Sequence, residues 1–474
     1  MNLTLQSDDL EQYNLGLVAL KGSMTSRRIL DAVEEKLSQF CLSIESDIIS
    51  IITDGTSVMT CAGKMSPTHQ QLCFAHAIQL AVIDVLYPKN KKTVGIEVEN
   101  MEGEEEQHAS DSESDDDEDD AENAQFQIDD SAASNDEDIS HEHYAELISK
   151  APKIIKIFRK PLKNEILQKH VVSDFGKPLE LKLDTKTRWN SLYFMLERLN
   201  KLRNCVKKAL IDIKSDLQFE EWELDRLDDL VTALEPLKVT VEALCRRDFD
   251  LLQADESLNF ALNKLDSTGS AIGDELAQAM RHRITQRRTE ASGILQYLHG
   301  AIANEDKLDP LFTTPPKAKI AETLKILILR LNPSLDPQEA GTDPAEETEV
   351  VVLDEVEPTT SRKRKRQNAP EDELELALKK VKERDSLGKA TIQSKTLLTT
   401  IKQEMKLFDA NGSRGHHLNI SYKYLKAIAP TSVESERVFS SSGYLCNKVR
   451  SSLSDKVLDT LCFLRSYFQI NDSE

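Results

Sequence analysis

Residues 428–468 begin Ile428-Ala-Pro-Thr-Ser-Val-Glu-Ser-Glu-Arg-Val-Phe-Ser-Ser-Ser-Gly-Tyr-Leu445. They pass through a basic segment and end Ser452-Leu-Ser-Asp-Lys-Val-Leu-Asp-Thr-Leu-Cys-Phe-Leu-Arg-Ser-Tyr-Phe468. The pattern predicts two helices around a glycine break. Pro430 and Thr431 open the first, where Thr431-x-x-Glu434 fits a capping box, and Gly443 stands where helices commonly end. Ser454 suits the N-cap of the second helix. Val457, Leu458, Leu461, Leu464 and Phe468 then give that helix a broad apolar face.

Outward from this stretch, the chain of 474 residues is long enough for about three domains, or for one large domain with an insertion. The net charge of −22 is concentrated: residues 101–142 hold 19 Asp or Glu and no Lys or Arg, so taking them away from −22 leaves −3 for the remainder. The total therefore does not argue against a nucleic-acid partner. Cys41, Cys61, Cys73, Cys205, Cys245, Cys446 and Cys462 are scattered without paired spacing, which points to a reducing compartment and not to a disulfide framework. Neither a signal peptide nor an apolar stretch of membrane-spanning length is visible, so no membrane partner is expected. No fixed-period repeat is present.

Near the N-terminus, Tyr13–Lys21 reads as a strand, Ser26–Phe40 as a helix, Asp47–Thr53 as a buried strand closed by Asp54-Gly55, and His69–Leu86 as a helix. Strand, helix, strand, helix is the order of an α/β core. Pro88–Ser140 is low-complexity and acidic and is expected to be disordered, either solvated filler or an interaction segment for basic partners. A helix is expected over His143–Phe158, a strand over Leu179–Leu183, and a long helix from Trp189 to Ile211. Helical patterns continue through Trp222–Cys245, Leu251–Leu265, Ile272–Leu298 and Lys319–Leu331. Asn332–Pro370 is a second break, containing Arg362-Lys363-Arg364-Lys365-Arg366, a run that fits nuclear import or a solvated linker. Glu371–Arg384 and Thr396–Asp409 read as helices, followed by Ser421–Ile428.

Taken singly, the chemistry-bearing residues have bland readings. Asp54 before Gly55 is a turn aspartate. Cys73-x-x-His76 lacks the second ligand pair that zinc requires. Arg188-Trp189 is an amphipathic helix start. Read together, three motifs resemble one family. They are Ile52-Thr-Asp-Gly-Thr-Ser-Val-Met59 with Cys73-Phe-Ala-His-Ala-Ile-Gln-Leu80, Lys186-Thr-Arg-Trp-Asn-Ser191 with Met195-Leu-Glu-Arg198, and the C-terminal set Ser432, Ser435, Glu436, Arg437, Phe439, Ser440, Gly443, Arg450, Leu453, Leu461, Phe463 and Leu464. In this order they resemble the hAT superfamily of DNA transposases (the hobo/Activator/Tam group), and most closely its zinc-finger-BED-type, host-domesticated members.

The resemblance implies an α/β, RNase H-like core over 1–87 and 143–211, interrupted by the acidic insertion 88–142 and a large all-α insertion over 212–331. It implies a linker over 332–370 and C-terminal helices over 371–474 carrying the hAT dimerisation region. In such enzymes three carboxylates hold two Mg2+ or Mn2+ ions for phosphoryl transfer. The resemblance makes Asp54 the second acidic residue and Glu436 the third, with Glu434 a helix cap. The first acidic residue would fall on a strand before Met1, as would the BED finger. Cys73 and His76 become structural residues near the site. Arg188 and Trp189 become DNA contacts, the indole stacking on an extruded base. Phe439, Leu453, Leu458, Leu461 and Leu464 become homodimer contacts, with no cofactor needed unless the site is active. The expected function is that of a nuclear, transposase-derived protein that homodimerises, binds DNA and does not transpose. The alternatives are a fragment of an active transposase whose N-terminus is missing, and an acidic adaptor for basic nuclear proteins.

Overall fold

The computed structural model describes residues 1–18, 20, 22, 24–87, 139–184, 190–300, 308–331, 397–445 and 454–471. In chain order the first elements are β1 (Asn2–Gln6), β2 (Gln12–Leu17), α1 (Ser26–Ser38), β3 (Ser50–Thr53), α2 (Ser57–Met65), β4 (His69–Leu72) and α3 (Phe74–Leu86). Then come α4 (Ile139–Phe158), α5 (Pro161–Phe175), α6 (Ser191–Lys201), α7 (Arg203–Asp212), α8 (Glu221–Leu244), α9 (Leu251–Asp266), α10 (Ala271–Arg287), α11 (Glu290–His299) and α12 (Lys317–Leu331). The last are α13 over 397–411, α14 (His416–Lys426), α15 (Val433–Leu445) and α16 (Asp455–Asn471). The described chain is thus mostly helical, with two small two-stranded sheets. It divides into two compact units, one drawn from Met1–Ala81, Thr185–Phe194 and Asp229–Glu474, the other from Val82–Asp184 and Met195–Asp228.

In the first unit, β1 and β2 form an antiparallel hairpin running from Asn2↔Leu17 to Gln6↔Gln12, with an irregularity between Leu3 and Thr4. Gly16, opposite Leu3 in that register, has φ +103, a backbone state that glycine adopts without steric penalty. Leu15, Leu37 and Ile44 form a buried cluster beneath the hairpin, with Leu3, Leu5, Leu30 and Val33 packed against it. The apolar stripe of α1 therefore covers one face of the hairpin. α16 covers β2: Asp459 Oδ1 accepts from the Leu17 amide at 2.6 Å, and Asn14 Nδ2 donates to the Cys462 carbonyl at 3.3 Å and to Ser466 Oγ at 3.1 Å. β3 and β4 pair in parallel, Ser50↔His69 through Thr53↔Leu72, with α2 as the crossover between them.

Several sequence-level expectations are corrected. The strand expected over Tyr13–Lys21 occupies Gln12–Leu17 and pairs with an unanticipated strand at Asn2–Gln6, where Leu3 and Leu5 alternate with Asn2, Thr4 and Gln6. The helix expected from His69 starts at Phe74, because His69–Leu72 is drawn into the ladder of β3 and Gln71 is wholly buried. α2 and α5 were not expected: α2 is only nine residues long, and α5 carries almost no apolar period. Helix 272–298 is two helices, with Arg288 extended between them. Neither capping feature of the first C-terminal helix forms: α15 starts at Val433 and runs past Gly443 to Leu445. Thr431 Oγ1 donates instead to the Leu244 carbonyl at 3.4 Å. The N-cap at Ser454 is present, its Oγ accepting from the Val457 amide at 3.4 Å.

In the second unit α4, α5 and α7 pack through Leu147, Ile154, Leu167, Val171 and Val206, all fully buried. Leu179–Leu183 forms no strand. The Leu179 amide donates to Gln168 Oε1 at 3.1 Å, Gln168 Nε2 donates to the Leu179 carbonyl at 3.0 Å, and Arg198 Nη1 donates to the Glu180 carbonyl at 2.9 Å. Side chains thus satisfy the backbone groups that a neighbouring strand would otherwise have paired. The long helix expected from Trp189 breaks at Leu202, whose φ −97 and ψ 7 leave the helical region between α6 and α7.

Candidate functional site

The first unit brings Asp54, Cys73, His76 and Glu436 to one end of the β3–β4 pair. Asp54 directly follows the last residue of β3. Gly55, at φ +94, turns the chain, and the Thr56 amide donates to Asp54 Oδ1 at 3.1 Å just before α2 begins. One carboxylate oxygen of Asp54 therefore holds an Asx turn, as the bland reading expected. β4 ends beside it: the Cys73 amide donates to the Thr53 carbonyl at 2.8 Å and extends the ladder by one residue.

α3 starts on this ladder and points its first turn at the site. The Phe74 amide donates to the Pro430 carbonyl at 3.0 Å, which ties the lead-in of α15 to the start of α3. From α15, Glu436 Oε1 accepts from Ser432 Oγ at 3.0 Å. Burial pushes the Cys73 thiol above its ordinary value, Ser432 opposes that, and the negative charge of Glu436 adds to it. Cys245, at the end of α8, is pushed up to about 12 by burial, with Cys73 and Glu436 adding and Arg437 opposing. Both thiols are held protonated and are poor nucleophiles and poor metal ligands in this state. His76 is held below its ordinary value by burial and by the Arg287 charge, with Asp54 acting in the opposite sense. The imidazole is neutral at neutral pH.

Arg287 was not anticipated. It ends α10, is 5% exposed, donates from Nε to the Cys73 carbonyl at 3.3 Å, and accepts at its own carbonyl from Gln71 Nε2 at 3.2 Å. Its guanidinium lies against Gly55, where an added Cβ would stand 3.1 Å from Nη2. In sequence it sits in Gln286-Arg287-Arg288 and reads as a solvated helix end. No local signal distinguishes it from its neighbour, since only the tertiary approach of α10 buries it. Glu434, expected to cap α15, pairs instead with Arg437 and, at 3.3 Å, with Arg247.

Asp54 and Glu436 both line one cavity of about 780 Å³. Among the described residues no group of three or more His, Cys, Asp or Glu side chains is placed to hold a metal ion. Magnesium and manganese need about six hard oxygen donors each. The two carboxylates brought together here supply at most four of the oxygen donors that two such ions would take. No protein-family model and no curated protein matches this sequence. Arg188, Trp189, Leu453, the run Arg362–Arg366 and the acidic segment up to Asp138 lie outside the described residues. Of the remaining expected dimer contacts, Phe439, Leu461 and Leu464 are exposed and Leu458 is half-buried.

Proposed function

We propose that this chain is a nuclear protein derived from an hAT-type transposase, built on an RNase H-like scaffold. It homodimerises through α16, binds DNA, and does not carry out transposition. The observation that carries the reading is the two-sided character of α16. One side, through Asp459, Cys462 and Ser466, is bonded to β2. The other presents Val457, Leu461, Leu464 and Phe468, spaced i, i+4, i+7 and i+11, at 46%, 36%, 40% and 56% exposure. A helix already anchored on one side has no structural need for a second apolar stripe in water, and such a stripe is characteristic of an association surface. Asp54 and Glu436, from opposite ends of the chain but on one cavity, support descent from a carboxylate site.

The test is sedimentation velocity on the full chain and on the double variant Leu461→Glu, Leu464→Glu. The expected result is a dimer that becomes a monomer in the variant, with unchanged far-ultraviolet circular dichroism. A full chain that stays monomeric at about 10–100 μM, where interfaces of standard size are occupied, overturns the dimer reading.

A further inference from the structure

The corner between α4 and α5, inside the second unit, is charged on one side only. From Leu147 to Asn164 there are six Lys or Arg and no Asp or Glu. The fold uses Lys150, whose Nζ donates to both Glu223 oxygens at 2.7 and 2.6 Å. It does not use the other five. Lys153, Lys156, Arg159 and Lys160 are exposed and Lys163 is half-buried. None of these five forms an ion pair among the described residues. Cations close by are paired: Lys169 with Glu165 at 3.1 Å and Lys208 with Asp174 at 3.4 Å. The lack of partners is therefore a local property of the corner.

Exposed lysines are ordinarily a solvated face, and Lys156, in the last turn of α4, suits the negative end of that helix. Lys160 and Lys163 do not have that explanation. Lys160 is the N-cap of α5 and makes no side-chain cap bond, Lys163 is the third helical residue, and the first turn holds no acid. Both cations thus stand at the positive end of a helix dipole, where local stability favours acids. Their charge is balanced by nothing in the fold and would be balanced by an anionic partner. The spacing says which kind. Lys153 and Lys156 share one face of α4, opposite the buried Ile154, Ile155 and Phe158, and Arg159 follows. Six residues from Lys153 to Arg159 cover about 9 Å of helix axis, while a DNA strand sets one phosphate per about 3.4 Å of its axis. Cations strung along a ridge suit a repeating polyanion better than a single phosphate.

We infer that the α4–α5 corner docks the phosphate backbone of duplex DNA through Lys153, Lys156, Arg159, Lys160 and Lys163, without regard to base sequence. This rests on the reading that the chain binds DNA, and adds the surface and the mode. Four of the five cations are lysines. They act as point charges without the fork that reads a base edge, so they position a duplex and do not select a sequence.

The test is fluorescence anisotropy of the full chain with two labelled duplexes of unrelated sequence, over a series from about 20 to about 300 mM salt. One variant carries Lys153→Gln, Lys156→Gln and Lys160→Gln. A control carries Lys402→Gln, Lys406→Gln and Lys423→Gln, which remove three exposed lysines of α13 and α14. Glutamine keeps helix propensity close to that of lysine. The corner variant is expected to bind both duplexes about a hundredfold more weakly at 0.1 M salt and to flatten the logarithmic salt slope by about 2.7, since each lost phosphate contact removes about 0.9. The control should match the parent. A parent that binds duplex with a corner variant that binds equally well overturns this inference alone. A parent that binds neither duplex at about 20 mM salt removes the DNA reading and this inference with it. Equal losses in the control assign the effect to overall charge, and losses on one duplex only assign it to base reading; either overturns the inference. So does binding to phosphatidylserine vesicles that the corner variant loses while its duplex binding is unchanged.

Discussion

His69 opens β4 with its Nε2 3.0 Å from Thr289 Oγ1. Burial, helped by the Arg330 charge and opposed by Glu290, moves its pKa from 6.5 down to about 4. The folded protein keeps this ring neutral over a range where the unfolded chain binds a proton. Its contribution to stability is therefore complete above pH 6.5 and is lost as pH falls toward 4, an effect on the order of 3 kcal/mol. His76 is shifted in the same direction and adds to the slope. His69→Gln keeps a polar partner for Thr289 and cannot titrate. Urea unfolding at about pH 7 and about pH 4.5 should show the variant losing about 2 kcal/mol less than the parent between the two. Equal losses would show that His69 titrates as it does in water. Gly16 offers a second residue-level test. Alanine there meets both φ +103 and the Asp459 carboxylate that accepts from Leu17 and pairs with Lys36 at 3.1 Å. Gly16→Ala is expected to cost about 2 kcal/mol or more, and an unchanged urea midpoint would show that the hairpin yields locally. At this scale Asp54 and Glu436, which line one cavity, could be singled out because each stands in a residue pattern. Arg287 could not, since nothing in Gln286-Arg287-Arg288 says which arginine will turn to Cys73 and which to Asp255.

The elements divide in the same way, according to where their determining contacts lie. α1 was legible because its stripe and its cap are local: Thr25 Oγ1 accepts from the Arg28 amide at 3.4 Å. α14 was not anticipated as a helix, because its cap lies on another helix. Gly415 at its N-cap has no side chain to offer. Glu404, on α13, accepts from the His417 and Leu418 amides at 3.3 and 3.0 Å and holds His417 Nδ1 at 2.8 Å. A carboxylate here serves both the orphan amides and the positive end of the helix dipole. Glu404→Ala is expected to cost about 1–2 kcal/mol and to speed exchange at the His417 and Leu418 amides, while α13 itself stays helical. Uniformly faster exchange across α13 and α14 would mean that Glu404 acts through packing instead. β4 and the Leu179–Leu183 stretch make the converse point. The first has a weak strand pattern and found a partner in β3. The second has clear alternation and found only the side chains of Gln168 and Arg198. Alternation describes a surface that suits a strand, and the partner decides.

At the scale of the whole molecule, charge is the property that the folded elements do not explain. Met101–Asp138 carries 18 acidic residues; without them the formal charge rises from −22 to −4. A block of that density competes with DNA phosphates for any basic surface on the same chain, an interaction whose reach is about 10 Å at 0.1 M salt. If the protein binds DNA, deleting Met101–Asp138 should tighten duplex binding at least about tenfold at low salt, with the gain fading as salt rises through several hundred millimolar. If the protein is an adaptor for basic partners, the same deletion should abolish retention on immobilised polylysine and leave duplex binding absent in both forms. Fluorescence anisotropy with a labelled duplex, run beside the polylysine assay over one salt series, separates these outcomes. Sedimentation of the deleted chain supplies the control, since the apolar stripe of α16 lies far from the block in sequence and the dimer should survive its removal.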